Sequence, residues 1–464
     1  MDERLQMPNA HDPLGCFRNG RLMNSSRSSL TSVLRSRRRM TRFGAVIAAS
    51  SLVLSGVAFA GSASAATSGG VIKIGYISPR TGVYAGFADG DPYMLKVVRA
   101  YFAKGVVYGG KKYTVQILDR DSGSDPAKAG QLADQLINKD KVDVLMATST
   151  PETTNPVIAK CEANAVPCIT TIAPWQAVFF GGGFTPAKPM KWTHHFFFGI
   201  EGFGAVDPNA WNQVVTNKKV GVLWPNDADG QAFRDPKTGY TPFATKAGYT
   251  IVDPGAYEDG TKDFTSIITK FKQENVQIIA GVPTPPDFVN FWTQAAQQGF
   301  KPKVATVGKA LFFPATVPSI PNNLGDGLAF ATWWGPTFPY KSSLDGTTPA
   351  TWVKKFSADK MNKGLDWNTA TALNYSLFEI ANAAFKAAGN PKNKAAVNKA
   401  QNSLNMMTLS GQLNFVKGPV PGIATIPTVI AQWERTSAGK WQSVIVDNKS
   451  YPAVPVVRKI KPLN

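Results

Sequence analysis

Val71-Ile-Lys-Ile-Gly-Tyr-Ile-Ser78 runs without a break into Pro79-Arg-Thr-Gly-Val-Tyr-Ala-Gly-Phe87. The first part reads as a short apolar strand, and the second as a Gly-containing turn that passes into a helical segment. Strand, turn and helix at the start of the folded part predict an open α/β sheet. In an exported chain of this length, such a start points to a small-molecule receptor more than to an enzyme.

An export signal precedes this stretch. Ala45 to Ala60 are almost all apolar or small and follow the basic run Arg35-Ser-Arg-Arg-Arg-Met-Thr-Arg42. Ala63-Ser-Ala65 then supplies an A-x-A cleavage site. The apolar stretch falls short of the roughly 18–20 residues that span a bilayer, so cleavage near Ala65 is expected rather than an uncleaved anchor. The arginines suit either a twin-arginine signal or an ordinary basic n-region. Residues 1–39 carry no apolar periodicity, and Met40 could be the true start. Cys16 lacks the apolar run that precedes a lipoprotein cysteine. The mature protein is expected to be periplasmic or secreted.

Of the 464 residues, loss of the first 65 leaves 399, enough for two α/β lobes with substantial cores. The whole chain carries 50 Lys and Arg against 31 Asp and Glu; nine Arg and three acids leave with the signal, and +13 remains. The lysines are spread over helical segments rather than gathered in a block. That fits solvated faces with a bias toward anionic ligands or surfaces, and nucleic acid is not an expected partner. Two cysteines remain, Cys161 and Cys168, between a helix and the next strand. In an oxidising compartment they could close one disulfide across that turn, or stay as two buried thiols. No third or fourth Cys or His is spaced to join them in holding a metal.

From Val71 to about Thr332 strands alternate with amphipathic helices, the signature of a parallel-sheet α/β protein. Apolar runs at Tyr113–Leu118, Val142–Ala147, Pro167–Thr171, Val220–Trp224, Val276–Ala280 and Val304–Val307 predict buried strands. Helical spacing links Ala129, Leu132, Ala133 and Leu136; Phe264, Ile267, Ile268 and Phe271; and Phe288, Phe291, Trp292 and Ala295. After Trp334 two helices are predicted, around Thr348–Lys363 and Thr369–Ala388, the second striped by Leu373, Leu377, Ile380 and Ala384. The tail reads as strands at Ile423–Trp433 and Trp441–Val446.

Four stretches, Val71–Phe87, Asp119–Ala147 with Asp125-Pro126, Cys161–Trp175 and Lys262–Gly281 (KDFTSIITKFKQENVQIIAG), closely resemble bacterial ABC-transporter substrate-binding proteins of the branched-chain amino acid (Leu/Ile/Val-binding) family. The likeness runs from about Val71 to Asp447. It implies a type I periplasmic-binding fold: an α/β protein of two doubly wound parallel-sheet lobes joined by a three-strand hinge. Carried over, the N-terminal lobe comprises about 70–199 and 334–415, and the C-terminal lobe 200–333 and 416–464, behind the extension and signal of 1–65. The implied function is that of a receptor that closes on a small molecule and delivers it to an ABC permease in the inner membrane. Such a receptor needs no catalytic residue and no cofactor, and a monomer is expected.

Open α/β sheets bind ligands in the crevice beyond the carboxyl ends of their strands. After the first predicted strand this singles out Tyr84 and Phe87; the resemblance places an aromatic ligand-packing residue near Phe87, whereas a surface aromatic in the turn is the alternative. Thr148-Ser-Thr-Pro-Glu-Thr-Thr-Asn-Pro156 follows another strand, and its hydroxyls and free N–H groups at a helix start would seat a carboxylate. The resemblance gives that role to this loop and the next, so Ser149, Thr150, Thr153 and Thr154 are candidates, with helix capping accounting for one or two of them. In the next loop the resemblance implicates Thr171, Ala173 and Trp175. Trp175 stands where amino-acid binders have small residues. With Phe179-Phe180 and Trp192-Thr-His-His-Phe-Phe-Phe198, it either packs a core beside the first crossover or lines a pocket for a flat ligand.

In the second half, Trp224-Pro-Asn-Asp-Ala-Asp-Gly230 offers Asp227 and Asp229, and Thr284 and Lys309 follow later strands. Family members that bind amino acids usually place an acid near Lys309 to pair the ligand's ammonium. A lysine would repel that ammonium and favour an acid or a neutral acceptor. A carboxylate or amide-like solute without a free ammonium is therefore expected, with Asp227 or Asp229 as the alternative partner of an ammonium.

Other motifs fail. Gly181-Gly-Gly183 has no following Lys-Ser/Thr, and neither a GxGxxG fingerprint nor a GxSxG elbow is present. His194 and His195 adjoin in a strand-like run and point to opposite faces, which suits no metal and predicts one buried and one at the lobe edge. Asp119 and Asp121 fit a cap or turn. An enzyme on this fold has no motif to support it. A ligand-binding sensor of the same fold, partnering a membrane kinase or chemoreceptor, stays open as the alternative to an importer's receptor.

Overall fold

A computed structural model describes residues 67–362 and 364–463. The expected export signal, Cys16, Met40 and the expected cleavage site at Ala63–Ala65 lie outside the described residues. Among the described residues no helix is long and apolar enough to cross a membrane.

In chain order the strands are β1 (Thr67–Ser78), β2 (Val106–Tyr108), β3 (Lys111–Asp121), β4 (Val144–Thr148), β5 (Cys168–Thr171), β6 (Thr193–Phe196), β7 (Lys219–Leu223), β8 (Thr250–Val252), β9 (Ile278–Gly281), β10 (Val304–Val307), β11 (Ala329–Thr332), β12 (Asn405–Thr408), β13 (Gly411–Asn414), β14 (Ile423–Ala424), β15 (Val429–Arg435) and β16 (Trp441–Asp447). They form two seven-stranded sheets and a hairpin of β12 with β13. The first sheet has the order β14-β6-β5-β4-β1-β3-β2, parallel except between β2 and β3. The second has the order β16-β15-β11-β10-β9-β7-β8, parallel from β11 to β8 and antiparallel at β15 and β16.

The apolar runs explain this architecture. β4, β5, β9, β10 and β11 are buried at every position, as strands covered by helices on both faces must be. The helices turn the predicted stripes inward: Ala129 and Ala133 pack with Leu136 under β1 and β4. Ile267, Ile268 and Phe271, and Phe288, Phe291 and Trp292, do the same in the second lobe. Asp125 accepts the Lys128 N–H at 2.9 Å and Pro126 takes the first helical position, so the Asp-Pro pair starts its helix as a cap should.

Three features of the C-terminal part differ from expectation. The helix expected over Thr348–Lys363 is Pro349–Ala358, with Thr348 as its cap. A further helix, Lys394–Asn402, precedes the hairpin. The single strand expected over Ile423–Trp433 is split between the sheets. β14 pairs with β6 and β15 with β11, and Pro427, which has no N–H to give a ladder, sits in the break. The chain therefore leaves the first sheet after Ala424, not at the expected boundary of 415/416.

In each sheet the strand order reverses beside one strand, β1 between β3 and β4, and β7 between β9 and β8. Ligand crevices form at such points. The chain passes between the sheets at Phe197–Gly199, from Trp333 onward, and at Thr425–Thr428. These passages are tied together. Phe197 and Phe198 have ring centroids 3.8 Å apart, and each lies within 5.0 Å of Trp333. Phe197 N–H donates to Ala424 O at 3.2 Å.

Candidate ligand site

Three residues at the carboxyl ends of strands carry left-handed backbones although none is glycine. They are Ser149 after β4 (φ 46°), Ile172 after β5 (φ 61°) and Lys309 beyond β10 (φ 50°). For a β-branched residue such as Ile172 this is an outlying conformation, and strain of this kind collects at ligand clamps. Ile172 and Lys309 line the space between the lobes, and Ser149 sits beside Thr150, which also lines it.

That space holds a residual cavity of about 20 Å³, lined on the apolar side by Phe87, Ile172, Pro174, Phe197, Phe198, Phe203, Phe233, Val282 and Phe312. Its polar lining is Thr150, Asp229 and Lys309. The room suffices for about one water, so the lobes are shut. Contacts across the cleft agree: Ala228 N–H donates to Glu152 Oε1 at 2.9 Å, and Phe87 meets Phe313 edge-on at 4.7 Å. A wider cleft of about 660 Å³ lies at the rim, between Gly82–Gly86 and Pro285–Thr293. It contains none of the strained residues and none of the buried charges, and is the mouth rather than the seat.

At the cavity, Lys309, Asp227 and Asp229 form one buried cluster. Lys309, 3 % exposed, donates to Asp227 Oδ2 at 2.6 Å and lies 2.9 Å from Asp229 Oδ2, with its ammonium 5.7 Å from the centre of the Tyr84 ring. Burial works against its charge, but Asp227, Asp229 and Glu152 together outweigh burial and hold the ammonium well above the usual lysine range. Asp227 also caps its helix by accepting Gly230 N–H at 2.7 Å. Asp229 has no such help. Its Oδ1 is buried without a partner, and its pKa is raised to about 7 by burial above all, with Lys309 opposing and Glu152 and Asp227 adding to the rise. Glu152, Asp227 and Asp229 bring carboxylate oxygens within 4.8 Å of one another, a donor set suited to a hard cation. The ammonium of Lys309 already occupies that role.

This revises the expectation for Lys309. Its charge is neutralised inside the protein, so it does not confront the ligand as a free cation. Two of its three N–H bonds serve carboxylates and one remains. The polar end of the cavity therefore presents one charge-assisted donor beside one orphan acceptor, Asp229 Oδ1.

The other candidates separate into two groups. Phe87, Thr150, Asp229 and Lys309 line the cavity, and Tyr84 and Asp227 support Lys309 from behind. The remaining hydroxyls turn inward instead. Ser149 Oγ bonds Thr148 Oγ1 at 3.0 Å, Thr153 Oγ1 donates to Ser149 O, and Thr171 Oγ1 donates to Phe196 O at 2.6 Å. Thr154 has a buried hydroxyl without a partner, inside its helix. Ala173 gives its carbonyl to His195 Nε2, and Thr284 stands at the residue before the helix Pro285–Gln297, outside the cavity lining and without a side-chain cap bond. Trp175 packs with Ile158, Val178 and Phe179, and its indole N–H donates to Glu201 Oε1 at 2.8 Å. It is core beside the first crossover, not a pocket wall.

His194 and His195 do point to opposite faces, to Asn402 and to Thr170, but both are buried. Desolvation lowers each pKa to about 4, so both rings are neutral. Cys161 and Cys168 are free buried thiols, and burial, then Cys168 beside it, pushes the Cys161 thiol up. Glu152 carries no distinct signal in the sequence, because the hydroxyls around it match a carboxylate seat. Phe203, Phe233 and Phe312 carried no signal, since an aromatic on a buried helix face looks the same whether it meets a core or a cavity.

The sequence model of the periplasmic binding protein family matches residues 71–440. Several solved structures share the fold. A leucine-binding protein, LivK, from Thermotoga maritima is 18 % identical, with a TM-score of 0.64 over 81 % of this chain and 99 % of that one. An ABC-transporter solute-binding protein from Rhodopseudomonas palustris BisB5, in complex with 3,4-dihydroxybenzoic acid, is 17 % identical, with a TM-score of 0.63 over 83 % and 99 %. The branched-chain amino acid substrate-binding protein LivJ from Streptococcus pneumoniae, in complex with isoleucine, is 17 % identical, with a TM-score of 0.60 over 81 % and 99 %.

Proposed function

This chain belongs to the periplasmic binding protein family, and from that premise we propose that it is the extracytoplasmic receptor of an ABC importer for a flat, apolar-bodied solute with a carboxylate, amide or phenol-like head and no free ammonium. The premise supports a solute-binding receptor that binds and releases without chemistry. The importer role draws support from relatives described as ABC-transporter proteins. The permease would be its partner in the inner membrane.

One observation carries the ligand class. The cavity has six phenylalanines for walls and a single polar end, where the spare N–H of Lys309 adjoins Asp229 Oδ1 and Thr150. An ammonium would need a carboxylate not already committed to Lys309. A head that both donates and accepts, such as an amide, a phenol or a protonated acid, satisfies both atoms and leaves no buried group unpaired. A carboxylate satisfies Lys309 and takes the Asp229 carboxyl in its protonated form.

A thermal-shift panel on the secreted chain from Ala66 tests the reading, with aromatic acids and amides, aliphatic acids, dicarboxylates, amino acids and polyamines. A ligand at about a hundred times its dissociation constant adds roughly 2.7 kcal/mol of stability. Stabilisation by benzoate- or benzamide-type solutes is expected. Stabilisation by leucine, isoleucine or valine, with none from their ammonium-free analogues, would overturn the proposed class.

A further inference from the structure

Phe312 serves two spaces. Besides closing one end of the central cavity, it lines a separate chamber of about 290 Å³ beside the β11 crossover. The chamber's walls are aromatic: Trp367, Trp433, Trp441 and Phe330, with prolines at the corners. Trp433 is held rigidly, stacked on Phe330 at 5.6 Å with its indole N–H donating to Leu311 O at 3.0 Å. Trp367 leans edge-on against Trp334 at 5.6 Å. Trp367 and Trp441 are half-buried, so part of each ring is still available for contact.

Two polar features make this more than a packing gap. Thr369 lines the chamber and is 4 % exposed, yet its hydroxyl has no partner. A buried hydroxyl without a partner is costly unless a ligand or water supplies one. Asp366 is the one ionisable side chain in the lining, and it is exposed at the edge. It would repel a carboxylate and tolerate a neutral molecule or a cation. The chamber is thus opposite in preference to the central cavity.

We propose that this chamber is a second small-molecule site, for a flat neutral or cationic aromatic with one hydrogen-bonding group. Its volume lies at the lower end of the range of small-molecule pockets, about 300 Å³ upward, which suits one fused ring system. Asp366 to Thr369 lead into the helix Thr371–Ala388, which packs on the first sheet, whereas Trp433, Trp441 and Ser443 belong to β15 and β16 of the second. A molecule held by both lobes favours the lobe arrangement that forms its walls. Through Phe312, occupancy here and occupancy of the central cavity are coupled, each changing the affinity of the other by the same factor.

The test uses indole, tryptamine and indole-3-carboxylate as probes, in calorimetric titrations of the full secreted chain. Saturable one-to-one binding of indole and tryptamine is expected at about millimolar strength or tighter, with indole-3-carboxylate displacing bound indole about tenfold more weakly or more. Ser443→Trp, which fills the chamber from a half-buried position, is expected to weaken indole by at least about tenfold. Trp441→Ala provides a second variant, and a melting curve for each shows that it folds. Asp229→Asn, in the central cavity, leaves indole binding within about twofold. The proposal is overturned if neither indole nor tryptamine binds saturably, or if Asp229→Asn removes indole binding while Ser443→Trp keeps it.

Discussion

Replacing Lys309 by Met removes the cation from between the buried carboxylates of Asp227 and Asp229, with half-buried Glu152 beside them. Lys309 is 3 % exposed, and its ion pairs measure 2.6 Å and 2.9 Å. Breaking a buried pair by deleting one partner typically costs about 3–5 kcal/mol, because the other charge is left without compensation. Asp227 keeps Gly230 N–H, so the loss falls mainly on Asp229, whose Oδ1 already lacks a partner. If the second lobe unfolds as one unit, the melting temperature should drop by roughly 6–20 °C at pH 7.5.

The same change has a pH signature. Asp229 stands at about 7 with Lys309 beside it and goes higher without it. An unfolded aspartate titrates near ~3.9. A carboxyl whose folded value lies above its unfolded value keeps a proton that the unfolded chain has released. Stability is then greatest at low pH and falls as pH rises toward the folded value, by about 1.4 kcal/mol per unit. Below about pH 5 Asp229 is protonated in both proteins and the gap between them is small. Above pH 7 the fall stops in the parent and continues in Lys309→Met, so the gap widens. Adding Asp229→Asn to Lys309→Met should restore most of the loss. Denaturant melts at pH 5, 7 and 9 decide the matter. A loss below about 1 kcal/mol that is flat with pH would mean that the ammonium is solvated and that the cleft does not shut on it.

Glu152→Ala removes the acceptor of Ala228 N–H across the cleft, and the closed form should lose about 1.5–3 kcal/mol, the usual worth of a hydrogen bond to a charged group. Small-angle X-ray scattering should show a larger radius of gyration for the variant, and an unchanged radius would place that contact outside the closing motion. His194 and His195 are held neutral at about 4, below the ordinary ~6.5, so their contribution is full above pH 6.5 and is lost as pH falls from there toward 4. His194→Asn should therefore flatten the acid side of the stability curve, and an unaltered curve would show that this ring is hydrated. Cys161 and Cys168, as buried thiols, should resist a thiol reagent in the native protein and both react in guanidinium; protein exported through an oxidising compartment that shows no reactive thiol even when unfolded would carry the disulfide instead.

The fold was open to reading because its strands are buried on both faces and its helices on one, which writes period and composition directly into the chain. β4 and the helix beginning at Pro126 lie where the apolar run and the Asp-Pro cap put them. The split of the Ile423–Trp433 strand was hidden, because the residues on either side are equally apolar and only the partner strand differs. The site was partly legible. Phe87, Thr150, Asp229 and Lys309 could be found because ligands collect beyond strand ends. Their pairing could not, since Lys309 and Asp227 are 82 positions apart and local sequence carries no distance information across such a gap. The hydroxyl-rich loop misled for a related reason. Serine and threonine satisfy a backbone carbonyl as readily as a ligand, and Thr153 and Thr171 took the carbonyls.

The stack of Phe197, Phe198 and Trp333 bears on how selectivity is set. Two polypeptide crossings joined by interlocked rings, with the third tied to them through Phe197 N–H and Ala424 O, behave as a door hinge with a single pin: the halves can swing, but twisting or sliding would require the rings to part. One angular coordinate then governs the gap between Phe87 on one side and Phe312 and Phe313 on the other. A receptor built this way acts as a caliper, gauging a guest by thickness. Molecules of equal thickness but different outline would be admitted together, and the angle at which the jaws came to rest would report the guest's thickness.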